Sequence, residues 1–207
     1  GPDGTIDASL LENEYSSTNV DNVLLLHFNN KSEIIKDRRI NKFIVDKSDV
    51  RIDRSRSRFG GGSGMFYKRS DKLRMRPVDS NFFLKHVDTG AFTMEFWLHP
   101  FSRENNETVM QKMGIIYGEA KLTRYSGFRV YFKNGRLVWE FINMFKHPDN
   151  LGGNSIVRIS SKRMIPLYKW NHHALTFNPI NGKLTYYVNG APVNVIYCTD
   201  TGQADDT

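Results

Sequence analysis

The stretch KWNHHALTFNPINGKLTYYVNG, residues 169–190, decides the fold. Its two halves, WNHHALTF (170–177) and KLTYYVN (183–189), are rich in aromatic and β-branched residues, and turn residues separate them. This pattern predicts two strands joined as a hairpin. Because alternate residues of a strand face opposite sides, His172 and His173 are predicted to point apart. The two histidines therefore cannot bind one metal ion together.

Similar segments recur along most of the chain, and none keeps a helical period for long. Turn residues separate them, which predicts an all-β, antiparallel sandwich or jelly roll. VLLLHF has the pattern of a strand buried on both faces, and FGGGSG (59–64) that of a flexible turn. The other predicted strands are VLLLHF (23–28), MFYKR (65–69), KLRMR (72–76), FTMEFWLHP (92–100), GFRVYF (127–132), RLVWEFI (136–142) and SIVRISS (155–161).

One hairpin can be predicted residue by residue. Asn134-Gly135 is favoured in a two-residue turn with both φ angles positive, and this turn pairs Lys133 with Arg136. The register then places Tyr131 opposite Val138 and Arg129 opposite Glu140 on one face. The other face is predicted to be core and consists of Phe128, Val130, Phe132, Leu137, Trp139 and Phe141.

Length and composition fit one β domain with a full core. We expect a tag and polar tail over residues 1–20, the domain over 21–200 and a polar tail over 201–207, in a chain of 207 residues. The single cysteine, Cys198, excludes an intrachain disulfide and a cysteine-rich zinc site. The longest apolar runs are too short to span a bilayer.

The positive charge is concentrated in one segment. Residues 51–76 contain nine Lys/Arg and two Asp, a net of +7, which equals the net charge of the whole chain. The segment is either a solvated loop with the outward face of a strand, or a surface that attracts acidic partners. It contains no nucleic-acid reader motif, so specific nucleic-acid binding is not expected. The residues of this basic patch are Arg51, Arg54, Arg56, Arg58, Lys68, Arg69, Arg74 and Arg76.

Three motifs in order resemble a known family: SGMFYKRSDKLRMRPVDSNFF, then FTMEFWLHP, then WNHHALTFNPINGKLTYYVNGAPV. They are similar to the laminin-G-like jelly roll of the concanavalin A-like lectin/glucanase superfamily, over residues 22–195. The resemblance implies a two-sheet jelly-roll sandwich and a hydrogen-bonded structural role for His172. It also implies that the usual closing strand is missing after CTDTGQADDT, which would leave a sheet edge open to another strand. The matching residues are Phe92, Thr93, Trp97, Pro100, Trp170, His172, Tyr187, Asn189 and Gly190.

The superfamily includes enzymes, and its retaining glycosidases use two carboxylates about 5–5.5 Å apart. Glu95 and Glu140 are the candidates here for such a pair. Glu140 has a simpler role as the cross-strand partner of Arg129, which would keep it ionised and unsuited to act as an acid. We therefore expect a protein that is not an enzyme, with glycoside hydrolase as a further alternative.

The expected function is recognition or assembly with a protein or an anionic polysaccharide. The alternative is a lectin domain, for which Arg129, Tyr131, Glu140, Asn143 and His147 supply an aromatic ring and hydrogen-bonding groups. The expected location is secreted, periplasmic or cell-surface, with an export signal removed before Gly1-Pro2, which resembles a cleavage remnant. No cofactor is expected. Loop oxygens that could bind calcium are available, but they do not have the spacing of an EF-hand. They belong to Asp79, Asn81, Asp88, Asp149 and Asn150.

Overall fold

A computed structural model of the protein describes residues 24–31, 43–78, 90–117, 123–145 and 155–198. All strand pairs in these ranges are antiparallel, so the all-β prediction is confirmed. The chain divides into two compact units, Gly1–Lys85 and His86–Thr207. The predicted domain boundaries at residues 20 and 200 lie outside the described ranges.

The first unit contains two small sheets. Strand β1 (Phe43–Ser48) pairs with β4 (Leu73–Pro77), and β2 (Arg51–Asp53) pairs with β3 (Ser63–Met65). The sequence predicted β4 but neither β1 nor β2, both of which are short and interrupted by charged residues.

The predicted strand MFYKR is wrong beyond Met65. The carboxylate of Asp71 accepts the backbone N–H groups of Tyr67 (3.0 Å) and Lys68 (2.9 Å), and the Asp71 N–H donates to the Lys68 carbonyl. These hydrogen bonds hold the segment in a turn, as aspartate commonly does two to four residues from the groups it caps.

The predicted strand VLLLHF is also wrong, since residues 24–28 form no strand. Residues 25–28 are only half-buried and Leu24 is 38% exposed, so the predicted burial on both faces is wrong as well. A Cβ added to Gly64 would lie 2.7 Å from the Phe28 ring, and one added to Gly62 would lie 2.7 Å from Ile52 Cγ2. The glycines at these two positions thus permit close packing, and only Gly60 and Gly61 of the predicted flexible stretch form a turn.

The second unit is the sandwich that the sequence predicted. One sheet has the order β12-β11-β10-β5 and the other β6-β7-β8-β9. Their inner faces meet through aromatic contacts such as Phe96–Trp139, with ring centroids 5.5 Å apart. The sequence did not predict β6 or β12. The strands are β5 (Phe92–Leu98), β6 (Thr108–Tyr117), β7 (Thr123–Lys133), β8 (Arg136–Ile142), β9 (Ile156–Ser160), β10 (Asn171–Asn178), β11 (Lys183–Val188) and β12 (Ala191–Tyr197).

The β7–β8 hairpin has the predicted register at every pair from Phe128↔Phe141 to Lys133↔Arg136. Asn134 and Gly135 at its tip have φ values of 50° and 70°, as the two-residue turn requires. The six residues predicted to face the core are at most 7% exposed. In β10, His173 faces the core while His172 contacts Glu95 on the outer face, so the prediction that the two histidines point apart is confirmed.

Candidate functional site

Three neighbouring strands place a charged cluster on the outer face of the β6-β7-β8-β9 sheet: Arg129 on β7, Glu140 on β8 and Arg158 on β9. Arg129 Nη2 donates to Glu140 Oε1 at 3.0 Å, and Arg158 Nε donates to Oε2 at 2.5 Å. The Glu140 residue is only 3% exposed. A buried carboxylate is thus held between two guanidinium groups.

The two arginines determine the protonation state of Glu140. Burial pushes its pKa upward, but the hydrogen bond from Arg158 and the positive charges of Arg129 and Arg158 outweigh that effect, so the pKa is lowered. The same hydrogen bond raises the pKa of Arg158. The predicted pairing with Arg129 is confirmed, and the carboxylate is ionised and unsuited to donate a proton.

Tyr131 completes the charged cluster but does not form an open platform. It is 3% exposed, its hydroxyl donates to Glu140 Oε2 at 3.3 Å, and the Arg129 guanidinium lies 4.0 Å from its ring centroid. The ring is therefore covered by a cation of its own chain.

The other two residues proposed for a sugar site are not part of this cluster. Asn143 connects strand ends, donating to the Tyr125 carbonyl (2.7 Å) and accepting from the Ser155 N–H (2.8 Å). His147 lies outside the described residues. Ligand binding by the five predicted residues stays a prediction.

Arg158 was missed by sequence reasoning. The alternation in SIVRISS placed it on one face of a strand, but nothing local showed that β9 would pair with β8. Once that pairing is known, the register Glu140↔Arg158 follows directly.

The second candidate carboxylate for catalysis, Glu95, lies elsewhere. It is exposed on β5, on the outer face of the β12-β11-β10-β5 sheet, where its Oε2 is 3.3 Å from His172 Nε2. Glu140 is on the outer face of the opposite sheet, and packed sheets are about 10 Å apart. These two carboxylates point away from each other and cannot form a pair at about 5–5.5 Å.

His173 is a buried polar residue in the core. It is 0% exposed, and its Nδ1 lies 2.7 Å from the Tyr186 hydroxyl, which is hydrogen-bond distance. Burial, with a smaller contribution from the charge of His172, lowers the pKa of His173 to about 4, and burial raises the pKa of Tyr186. His173 is therefore neutral at physiological pH, and its contacts are with core residues.

All eight side chains of the basic patch belong to exposed residues of the first unit. Arg74 and Arg76 are on the outward face of β4, and the others lie in or beside β2 and the loops around β3. Residues 43–78 contain ten Lys/Arg and four Asp, a net of 10 − 4 = +6. The predicted concentration of charge is thus displayed on the surface of a folded segment.

Several acidic side chains in this segment hold loops in place. Asp53 accepts the Ser55 N–H at 2.8 Å and the Ser55 hydroxyl at 2.6 Å, and these bonds lower its pKa although desolvation opposes them. Arg56 also pairs with Asp53 at 3.3 Å, and Arg76 pairs with Asp46 at 3.0 Å. The loop that displays Arg54, Arg56 and Arg58 is therefore hydrogen-bonded.

Exposed aromatic rings lie among these cations. Arg51 Cζ is 5.9 Å from the Tyr67 ring centroid, and Arg58 Cζ is 5.0 Å from that of Phe59. Tyr67 is 73% and Phe66 46% exposed. The basic patch thus presents guanidinium groups and flat apolar surfaces side by side.

No metal-binding group of three His, Cys, Asp or Glu side chains occurs among the described residues. The candidate calcium ligands Asp79, Asn81, Asp88, Asp149 and Asn150 lie outside those ranges. Within the described residues there is also no helix of the length and hydropathy that crossing a membrane requires.

Comparisons with known proteins found distant similarity to solved structures. No curated protein matches the chain. A heptameric SAP-like pentraxin from Limulus polyphemus is 19% identical, with a TM-score of 0.34, over 55% of this chain and 48% of the pentraxin, so the chain spans about half of that protein. An endo-β-1,4-glucuronan lyase from the fungus Trichoderma reesei is 15% identical, with a TM-score of 0.49, over 79% of this chain and 74% of the lyase. Both are too distant to transfer a ligand or an activity.

The family comparison covers more than half of the 207 residues. A laminin G family model, described as the concanavalin A-like lectin/glucanases superfamily, matches residues 77–207, which include all eight strands of the sandwich. The predicted resemblance is confirmed for residues 77–195 and stays a prediction for residues 22–76; the chain belongs to the concanavalin A-like lectin/glucanases superfamily.

Proposed function

We propose that the chain is a non-catalytic recognition or assembly module that binds an anionic partner, a protein or an anionic glycan, through the basic patch. The observation on which this rests is that all eight residues of the basic patch are exposed, on a folded segment (residues 43–78) with a net charge of +6. Domains of the laminin G type are typically extracellular, so the partner is expected outside the cytoplasm.

The side-chain types favour an acidic ligand. An arginine guanidinium offers a planar fork of donors that matches carboxylate and phosphate geometry, and it does not lose its charge. The hydrogen-bonded loop around Asp53 reduces the entropy that ordering Arg54 and Arg58 on a ligand would cost. The rings of Tyr67 and Phe66 add apolar contact area beside these charges.

The non-catalytic part of the proposal is supported by the two glutamates. Glu140 is ionised between two arginines, and Glu95 is exposed on the opposite outer face. The lectin alternative at Tyr131 has less support, because that ring is buried under Arg129.

Heparin chromatography tests the proposal. We expect the protein to be retained and to elute with added salt, because exposed charges are screened at high ionic strength. The double variant Arg54→Ser/Arg58→Ser should elute at clearly lower salt. The control Lys133→Ser/Lys162→Ser removes the same charge from exposed positions of the second unit and should elute close to the parent protein.

Two outcomes would contradict the proposal. If the elution salt falls equally for both double variants, only net charge matters. If it falls for neither, the basic patch does not contact the polyanion. For catalysis, turnover of a polysaccharide that survives Glu140→Gln and Glu95→Gln would show an active site that these two residues do not form.

A further inference from the structure

The β9 edge of the β6-β7-β8-β9 sheet is capped by a side chain of the other sheet. Asn194 on β12 donates from Nδ2 to the Ser160 carbonyl at 2.9 Å, and its Oδ1 accepts the Val195 N–H at 3.0 Å. One amide group thus occupies a backbone acceptor of β9 and a backbone donor of β12. Capping of this kind hinders the addition of a further strand at a sheet edge.

The opposite edge of the same sheet, β6, is accessible to solvent. This strand has ten residues and is the last of its sheet within the described ranges. Gln111, Met113 and Gly114 on it are all exposed. Because a glycine consists of backbone atoms, the exposure of Gly114 shows that the chain itself is accessible there. A long accessible edge is a template for pairing with another strand.

The hydrogen-bond pattern identifies the backbone groups that such a strand would meet. The Phe132 N–H donates to the Glu107 carbonyl at 2.9 Å, so the even-numbered residues of β7 direct their backbone groups at β6. From Met110 onward, the register pairs them with the even-numbered residues of β6. The N–H and C=O groups of Gln111, Met113 and Ile115 therefore point away from β7.

We propose that the β6 edges of two copies of this chain pair antiparallel across a two-fold axis, which joins the two four-stranded sheets into one. The two symmetric registers with the largest overlap are centred on Lys112 and on Met113. The first places the two lysines opposite each other, which is destabilising. The second places Lys112 opposite Gly114 of the second copy and offsets the two lysines by two residues.

The structure has room for the register centred on Met113. A Cβ added to Gly114 would lie 3.8 Å from the Ser126 carbonyl oxygen, an ordinary contact distance, so a side chain of the second copy can lie beside this glycine. Lys112, the one charged residue of β6, thus excludes the wrong register and permits the right one. Because this strand is complementary to itself, it fits a second copy better than an unrelated strand.

The pairing gains backbone hydrogen bonds and buries apolar surface. Gln111 pairs with Ile115 of the second copy, Ile115 pairs with its Gln111, and the two Met113 residues pair on the axis, which gives about six N–H···O bonds. The Met113 side chain is 40% exposed, and Tyr125 on the same face of the sheet is 57% exposed. Contact with the second copy removes part of this apolar surface from water.

Sedimentation velocity at increasing protein concentration tests the association. We expect the parent protein to form a dimer that dissociates on dilution. Met113→Lys places two like charges opposite each other on the axis and should weaken the dimer at least tenfold. Val195→Lys is the matched control, because Val195 is 41% exposed on the capped β12 edge and receives the same charge. This variant should dimerise like the parent.

Cysteine cross-linking tests the register. Directly opposite residues of a hydrogen-bonded pair have Cα atoms about 5.5 Å apart, within the range of a disulfide. Met113→Cys should therefore give a covalent dimer under mild oxidation, seen on a non-reducing gel. Gln111→Cys should not, because four residues of strand, roughly 13 Å, separate the two cysteines. Cys198 is 3% exposed and does not compete.

Three outcomes would overturn the proposal: a parent protein that stays monomeric at every concentration, equal weakening by Met113→Lys and Val195→Lys, or cross-linking of Gln111→Cys as fast as that of Met113→Cys. The dimer does not depend on the basic patch. Arg54→Ser/Arg58→Ser should therefore dimerise like the parent, so failure of polyanion binding and failure of the dimer are distinguishable.

Discussion

The charged cluster and the basic patch use the same residue types in opposite ways. In the charged cluster, Arg129 and Arg158 bind a carboxylate that is 3% exposed, and Arg129 covers a buried tyrosine ring. In the basic patch, arginines and aromatic rings are also adjacent, but the cations outnumber the carboxylates and the residues are exposed. Burial and charge balance, more than residue type, distinguish the arginines of the charged cluster from those for which we propose a recognition role.

The largest expected effect is at the centre of the charged cluster. Glu140→Ala leaves two guanidinium groups and the Tyr131 hydroxyl without their acceptor, so it should lower the free energy of unfolding by about 3–5 kcal/mol. Urea denaturation at neutral pH measures this. Glu95→Ala is the matched control, because it removes an exposed carboxylate beside His172 and should cost less than about 1 kcal/mol. Equal costs for the two variants would show that the charged cluster adds no stability.

The next largest effect concerns His173 and depends on pH. Its folded pKa of about 4 is below the ordinary value of 6.5, so between these values the unfolded chain binds the proton and the folded chain does not. The contribution of neutral His173 to the free energy of unfolding is therefore complete above pH 6.5. It decreases as the pH falls, by about 3 kcal/mol at pH 4.

The double variant His173→Leu/Tyr186→Phe replaces both partners of the buried hydrogen bond by apolar groups, so no polar atom of the pair is left unsatisfied. Between pH 7 and pH 4, the parent protein should lose about 3 kcal/mol more than this variant. Glu140 titrates in both proteins, so the difference isolates His173. Parallel stability curves would mean that His173 is accessible to protons in the folded state.

How much could be predicted from the sequence depended on whether the deciding contacts were local. The β7–β8 hairpin was predicted in full, because Asn134-Gly135 fixes its register within the segment itself. The pairing of β8 with β9 joins segments separated by residues 143–155, and the Arg158 partner of Glu140 could not be predicted without it. The contact between the Phe101 and Tyr168 rings could not be predicted for the same reason, since it depends on two loops that are distant in the sequence.

The smallest expected effect on stability concerns the arginines of the basic patch. Arg54 lies in an exposed loop and Arg74 on the exposed face of β4, directly opposite Lys47 in the cross-strand register. Like charges opposite each other are destabilising, so Arg74→Gln should be neutral or slightly stabilising, and Arg54→Gln should change the free energy of unfolding by less than about 0.5 kcal/mol. Both should nevertheless elute from heparin at lower salt. If either variant lowers stability by more than about 1 kcal/mol, its arginine is structural in the way that Arg129 is, and the basic patch is then an extension of the fold and not a surface held for a partner.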